Sequence, residues 1–557
     1  MNARFAEFSN LGFAELSKSR FAEAVAAFQR AAIFQPAQAI SLYGAGFGAV
    51  RQSRWRDGLR LISRAAVALS VDMSPRLVAE VHITRGYCQK ALGSLREGGI
   101  SYRRAAVSEP SNQQIYFNLA NTLGELREHD AAARTALCAA VVEPGLSRNW
   151  NTAGRFLAEA HSLPSARCAY RRALVLEPGH EHAWNNLGIL HKRRDCLVAA
   201  LRSFSHAHRI DPKSEQVLAN LGRNLLLTGN LAKGWERLEE PWKSRGFAPR
   251  GETFRLPIWE GNHLQGRRLL VWSEEKIGDE ILFATILGDA RQRAGAVTLL
   301  CNPRIAGLLG RALPLVEVRG WDGVGEPPVD LASHAACYPL EYVGRFFRRS
   351  FADFPPPVPL LTPSAHVEAG GDDGAQGGKP FRLPRVGIHW KSINPLIGDY
   401  KTLPLVEWAP ILSSPGIDFI SLQYGAVIDD IAEVQRVHGV APRVPVGVDQ
   451  ISDVEGFVNY VASLDLVLSV AGTTAHVSGG LGRPTWLLLP RGPGLSWFWF
   501  EKHASSPWYA RCRLYRQSVV GSWRGAVEEV CRDLADWRDQ FTGNASGIID
   551  FQTTLSH

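Results

Sequence analysis

Small and apolar positions fall into a fixed frame along the first half of the chain. Gly12, Gly46, Gly86, Ala120, Gly154, Gly188 and Gly222 are 34 residues apart, except for one gap of 40 that places an insertion around Val71–Arg76. Pro110, Pro144, Pro178 and Pro212 keep the same period. Two repeats show the full pattern: Trp150, Gly154, Ala166, Tyr170, Ala173 and Pro178, then Trp184, Leu187, Gly188, Ala200, Phe204, Ala207 and Pro212. The spacing predicts helix pairs. The small residue lets the first helix approach the second, the Ala and aromatic positions form the facing stripe, and the proline stops the second helix.

From about Arg255 the frame is gone and short apolar runs alternate with helical stretches. Strands are expected at Arg268–Ser273, Ala296–Cys301, Val386–Trp390, Phe419–Gln423, Asp465–Val470 and Thr485–Leu489. Helices are expected at Ile281–Ala294, Arg304–Ala312, Val406–Ser413, Val427–Val437, Val454–Ser463, Thr473–Leu481 and Gly525–Gln540. This alternation implies parallel sheets covered on both faces. A Pro/Gly-rich stretch, Phe354–Pro380, reads as a linker between two doubly wound halves. Such a pair binds its ligand in the cleft between the halves, at the carboxyl ends of the strands.

The repeat frame resembles the tetratricopeptide repeat, with about seven copies from Arg4 to Trp242. Arrays of this kind use the concave face to hold a peptide or partner protein, although a contact between two copies of the chain would use the same surface. His180, His182, His206 and His208 lie near repeat ends, but no acidic or Cys partners share a ligand spacing with them, so packing or surface roles are expected.

Composition narrows the picture. The 557 residues leave room for roughly three domains, and 45% hydrophobic with 21% charged residues excludes wholesale disorder. The longest apolar runs fall short of a membrane span, and MNARFAEFSN lacks a basic-then-apolar signal pattern, which points to a cytoplasmic protein. Eight Cys without a CxxC pair exclude a zinc ribbon or a disulfide framework. The net charge of +8 is diffuse, which suits anionic ligands without calling for nucleic acid.

Four segments at strand ends carry candidate chemistry. In Ile277-Gly278-Asp279-Glu280, Asp279 is placed to act as a general base on an acceptor hydroxyl, or simply as a helix N-cap. Lysine is scarce, eleven in all, yet Lys391 and Lys401 stand ten residues apart after a strand end. There they would neutralise a leaving phosphate, or merely lie in a solvated loop. Gln423, in SLQYG, could reach a base or ribose edge, or close a plain strand. Ala471-Gly472-Thr473-Thr474-Ala475-His476 opens a helix whose N–H groups form an anion site. Thr473 and Thr474 would add hydroxyl donors, and His476 either lines the cleft or packs in the interface.

Taken together, VWSEEKIGDEILFATIL, VGIHWKS, SLQYG, SVAGTTAHVSGGLGRPTWLLLP and SPWYARCRLYRQ resemble the GT-B glycosyltransferases of the bacterial heptosyltransferase-like group. They resemble most the proteins that fuse tetratricopeptide repeats to such a domain, and the architecture is also similar to O-GlcNAc transferase. The resemblance implies an α-solenoid at 1–242, a GT-B fold of two Rossmann-like halves at 255–365 and 385–545, and a linker at 366–384. It implies Asp279 as catalytic base and a donor site of Lys401, Lys391, Thr473, Thr474 and His476, to which Gln423 is added from its strand-end position. The implied reaction is a metal-independent, inverting transfer of sugar from a nucleotide-activated donor to Ser or Thr of a protein held by the repeats. Flagellin is one such acceptor in the group. No cofactor is implied beyond the nucleotide sugar, and no DxD pair stands in a strand-end loop of the cleft, since Asp372-Asp373 sits in the linker.

The chain departs from the group at two places. Ala471-Gly472 replaces a polar Asp-Thr type of pair, and Glu275-Lys276 replaces a Gln-Gly pair. The first departure leaves a second function open, a repeat adaptor whose GT-B half no longer catalyses. A third reading is a heptosyltransferase-like enzyme of lipopolysaccharide synthesis, though a small glycolipid acceptor needs no seven-repeat array.

Overall fold

A computed structural model describes residues 2–35, 38–244, 254–274, 276–364, 382–394 and 397–543. Most of the expected linker at 366–384, Asp372-Asp373 and Glu275 lie outside the described residues.

Among those residues the first half holds fourteen consecutive helices. They are α1 (Asn2–Ser17), α2 (Phe21–Phe34), α3 (Ala39–Arg51), α4 (Trp55–Val67), α5 (Pro75–Ala91), α6 (Leu95–Ser108), α7 (Gln113–Glu125), α8 (His129–Val142), α9 (Ser147–Glu159), α10 (Leu163–Leu176), α11 (Glu181–Arg193), α12 (Leu197–Ile210), α13 (Glu215–Leu227) and α14 (Leu231–Ser244). They form tetratricopeptide-like repeats. The framed glycines act by close approach: a Cβ on Gly12 would stand 2.7 Å from the Phe28 ring, on Gly86 3.0 Å from Tyr102, and on Gly154 2.6 Å from Tyr170. Each clash partner lies 16 residues on, in the second helix of the same pair, so the small residue is a steric requirement of the pair.

The turn inside each pair repeats as well. Ser19, Ser53, Gly93, Arg127, His161, Asp195 and Gly229 all adopt positive φ, between 57° and 87°. Backbone bonds such as Glu128 N–H to Leu123 O (2.9 Å) and Ser162 N–H to Leu157 O (2.8 Å) close the turns. Side chains one repeat apart also meet: Arg155 donates to Asn121 (2.7 Å), and Asn186 to Asn151 (3.0 Å).

The chain divides into two compact units, Met1–Leu190 and His191–His557. The division falls inside α11 rather than at the 242/255 boundary expected from the sequence. The reason is packing within the second unit. On α14, Trp235 is buried and donates its indole N–H to Arg348 O (2.9 Å). Buried Glu239 accepts from the Tyr338 hydroxyl (2.6 Å) and pairs with Arg345. These helices therefore share one core with the sheets that follow.

The rest of the second unit contains two parallel sheets of α/β character. The first has the order β3-β2-β1-β4, from β1 (Arg268–Trp272), β2 (Val297–Cys301), β3 (Glu317–Gly320) and β4 (His334–Pro339). The second has the order β6-β5-β7-β8-β9, from β5 (Arg385–His389), β6 (Asp418–Ser421), β7 (Leu466–Val470), β8 (Thr485–Leu489) and β9 (Cys512–Arg516). The expected helix at Ile281–Ala294 is two helices, α15 (Ile277–Ala284) and α16 (Leu287–Ala294), separated by a turn at Thr285–Ile286. In sequence order the helices then run α17 (Pro303–Ala312), α18 (Gly344–Phe347), α19 (Gly398–Lys401), α20 (Ala409–Leu412), α21 (Ile428–His438), α22 (Val454–Ala462), α23 (Thr473–Gly480) and α24 (Arg524–Gly543).

Each sheet has one topological switch point. In the first, β1 lies between β2 and β4; in the second, β5 lies between β6 and β7. Loops leaving the carboxyl ends of adjacent strands diverge there and open a crevice.

Candidate functional site

Two helix starts, one from each sheet, meet at a glycine. A Cβ on Gly278 would lie 2.8 Å from His476 Cδ2 and 3.3 Å from Thr473 Cα, so Gly278 lets α15 and α23 touch. The turn ahead of α15 is held by Glu341, which follows β4. One of its carboxylate oxygens accepts from Ser273 Oγ (3.1 Å) and from Glu274 N–H (2.8 Å). The other approach is fixed by Leu360 and Leu361, whose N–H groups both donate to Gly480 O (2.8 Å).

Between these starts lies a cavity of about 560 Å³. Lys276, Gly278 and Asp279 line one wall. The facing wall includes Lys401, Tyr424, Gly472, Thr473 and His476, with Ser496, Phe498 and Trp499 from the loop after β8. Four of the seven residues expected from the sequence, Asp279, Lys401, Thr473 and His476, thus share one cavity.

The other three are placed elsewhere. Lys391 lies near Asp430 (Nζ–Oδ2 3.6 Å) and is absent from the cavity wall. Gln423 is buried and spends its amide on the backbone. Its Oε1 accepts from Trp390 N–H (3.1 Å) and Lys391 N–H (2.8 Å), and its Nε2 donates to Lys391 O (3.0 Å). Thr474 is fully buried with its hydroxyl 3.5 Å from Gln450 Oε1. Gln423 therefore shapes the loop leaving β5 instead of presenting its amide to the cavity.

His476 sits between a carboxylate and a phenol. Its Nε2 is 3.9 Å from Asp279 Oδ1 and its Nδ1 is 3.0 Å from Tyr509 Oη. At 3.9 Å the Asp279 contact is longer than a hydrogen bond, so the ring is bonded through its Nδ1 to the Tyr509 hydroxyl. The ring stacks on Trp499 with centroids 5.2 Å apart. Burial, and then the nearby Lys401 charge, push its pKa down to about 3, so it is a neutral imidazole at working pH.

Lys401 donates to Ser496 Oγ (3.3 Å). Burial lowers its pKa, Asp279 opposes that shift and Lys276 adds to it. The cavity thus places two ammonium groups beside one carboxylate and one helix start. This arrangement suits an anionic ligand that carries a hydroxyl toward Asp279. Among the described residues no group of three or more His, Cys, Asp or Glu could hold a metal ion. No helix among them is long and apolar enough to cross a membrane.

Sequence reasoning passed over Lys276, Tyr424, Ser496, Phe498 and Trp499 on this wall. Lys276 was legible from its place three residues before Asp279. Ser496 and the aromatic pair come from a loop whose path only the packing shows.

Helical repeats followed by two parallel α/β sheets define the class of architecture. No family model matches the chain. Protein FlbA of Caulobacter vibrioides is 29% identical over 334 residues, which is 56% of this chain and 54% of that protein. The chain therefore spans about half the length of this relative. Among solved structures, YrrB, a TPR protein with an unusual peptide-binding site, is 18% identical with a TM-score of 0.31, over 34% of this chain and 95% of its own. A tetratricopeptide repeat protein from Parabacteroides merdae is 12% identical with a TM-score of 0.36, over 44% of this chain and 93% of its own.

Proposed function

We propose that the chain is a GT-B glycosyltransferase that moves a sugar from a nucleotide-activated donor to Ser or Thr of a protein held by its repeats. The observation that carries this reading is the cavity in which Asp279, from the first sheet, faces Lys401, Thr473 and His476 from the second. Asp279 takes the proton of the acceptor hydroxyl as its oxygen attacks the anomeric carbon. The bond from that carbon to the donor phosphate breaks with inversion, and the phosphate leaves toward Lys401, Lys276 and the start of α23. Neutral His476 stands beside the carboxylate of Asp279, its Nε2 3.9 Å from Oδ1. Flagellin as acceptor rests on the resemblance in architecture alone.

A thermal-shift series with UDP, GDP, ADP and CMP tests the donor site. A nucleotide at 100 times its Kd stabilises the protein by about 2.7 kcal/mol, and Lys401→Ala abolishes that shift. The small residues Ala471-Gly472 favour a second reading, a repeat adaptor without catalysis. Absence of a shift with every nucleotide would select it.

A further inference from the structure

Two cations near the end of the repeats stand where earlier repeats carry ion pairs. Lys90 lies four residues after the framed Gly86, and its ammonium meets Glu125 of the next repeat at 2.7 Å. Arg155 directly follows Gly154, with Glu159 at 3.3 Å and Asn121 at 2.7 Å. Glu125 and Glu159 share one frame position, five residues after Ala120 and Gly154. Lys192 follows Gly188 by the same four residues, and Arg223 directly follows Gly222, but the position five residues after Gly222 holds Leu227. The cations are kept, and a buried leucine replaces the carboxylate that would pair them.

No other group takes its place. Among the described residues, no hydrogen bond or ion pair holds the Lys192 ammonium or the Arg223 guanidinium. Lys192 is half-buried and Arg223 exposed, so both are within reach of a ligand. Burial, and then the charge of Arg223, push the Lys192 pKa down to about 8, and no carboxylate opposes the shift. A carboxylate brought between the two would meet a point charge on one side and a planar fork of donors on the other.

The pair lies near the cavity, and both members belong to the second unit. The loop after β8 packs against the end of α11: a Cβ on Gly492 would stand 3.4 Å from Lys192 O, and Arg491 pairs with Asp195 at 2.6 Å. Ser496, four residues beyond Gly492, lines the cavity. The backbone of Lys192 is therefore within about 20 Å of the cavity wall, the span of about six extended residues.

We infer that Lys192 and Arg223 are a specificity-determining contact for an acidic residue of the acceptor protein, about six residues or fewer from the Ser or Thr that enters the cavity. The placement relative to that Ser or Thr rests on the transferase reading above; the preference for an acidic segment does not. Two cations suit one or two carboxylates. A nucleic-acid track would call for more, on the order of six to ten phosphate contacts.

Fluorescence anisotropy of the full chain tests the contact. The probes are a labelled Gly/Ser peptide of about ten residues ending in Glu-Glu, with counterparts ending in Gln-Gln and Lys-Lys. The Glu peptide is expected to bind about tenfold tighter than the Gln peptide, and Lys192→Met and Arg223→Gln each to remove most of that advantage. Lys192→Glu combined with Arg223→Glu should turn the preference to the Lys peptide, a reversal that misfolding does not produce. Equal binding of the Glu and Gln peptides, or undiminished Glu binding by the two single variants, overturns the contact. Tighter binding of an oligothymidylate of similar length would overturn it in favour of nucleic acid. The thermal shift with nucleotides should be the same in all these variants. If the unaltered chain shows no such shift, the transferase reading falls, while the peptide preference still decides the acidic contact.

Discussion

The helical repeats and the two-sheet region use glycine in opposite ways. In the repeats, Gly12, Gly86 and Gly154 each meet a ring of the same pair, Phe28, Tyr102 or Tyr170, and the contact recurs along the chain. In the two-sheet region, Gly278 meets Thr473 and His476, almost 200 residues away, and Gly472 meets His389. The first use is local and periodic, so it stabilises a scaffold. The second is long-range and occurs once, so it assembles a site. Chemistry gathers where the glycine contacts are aperiodic, because a site needs unlike groups brought together while a solenoid needs like ones repeated.

The comparison breaks most sharply at Asp279. Asp279→Asn is expected to lower sugar transfer by about 10²–10⁴-fold and leave the melting temperature of the repeats unmoved. This is measured as transfer of label from the nucleotide sugar that binds to protein of a lysate lacking this chain. Undiminished transfer would remove Asp279 from the chemistry. Phe156→Ala empties a fully buried ring position in α9 and should cost about 3–5 kcal/mol in urea unfolding. Nucleotide affinity in the sheets should survive it; a parallel loss of affinity would show that the two regions are coupled.

Lys401→Ala is expected to reduce turnover about 10²–10³-fold with little change in fold. A rise in KM alone would assign it to binding rather than to stabilisation of the departing phosphate.

Acid should weigh most on the two-sheet region, although burial also lowers His82, His180, His206 and His208 of the repeats. His389 and His476 titrate at about 4 and about 3 when folded, well below the ordinary 6.5. The unfolded chain takes up these protons first, so their contribution is intact above pH 6.5 and is lost as pH falls toward 4. The loss is about 1.4 kcal/mol per pH unit for each ring. Urea midpoints between pH 7 and 4.5 measure it, and His389→Phe should flatten the slope; an unchanged slope would place the acid sensitivity elsewhere. The smallest effect is expected at Arg127, a non-glycine at φ 60°. Arg127→Gly should stabilise the repeats by about 1 kcal/mol in the same assay; an unchanged or lower midpoint would show that the left-handed turn carries no strain there.

The repeats were legible because their contacts lie within one period: the 34-residue frame of small residues, rings and prolines is itself the packing rule. The left-handed turn residue was not, since only Gly93 and Gly229 among its seven occurrences look like one. In the second half most buried strands read clearly. β3 (EVRG) is a half-exposed edge strand with little apolar character, and β4 carries a register shift opposite β1, so neither stood out. Of the site, Asp279, Lys401, Thr473 and His476 could be named because strand-end loops of this kind face a crevice. Lys391, Gln423 and Thr474 carry suitable groups too, but an amide drawn into backbone bonds, or a hydroxyl turned into a core, has no mark in the sequence.

The sequence by itself determined the helical array, the change to α/β character near Arg255 and the residue types available for anion binding and proton transfer. Those depend on periodicity and on local chemistry, which are written along the chain. Only the tertiary structure decided which groups share the cavity, that His476 bonds Tyr509 beside Asp279, and that His389 is buried behind Gly472. Each of these is fixed by atoms tens to hundreds of residues apart, and no spacing along the chain encodes such a meeting.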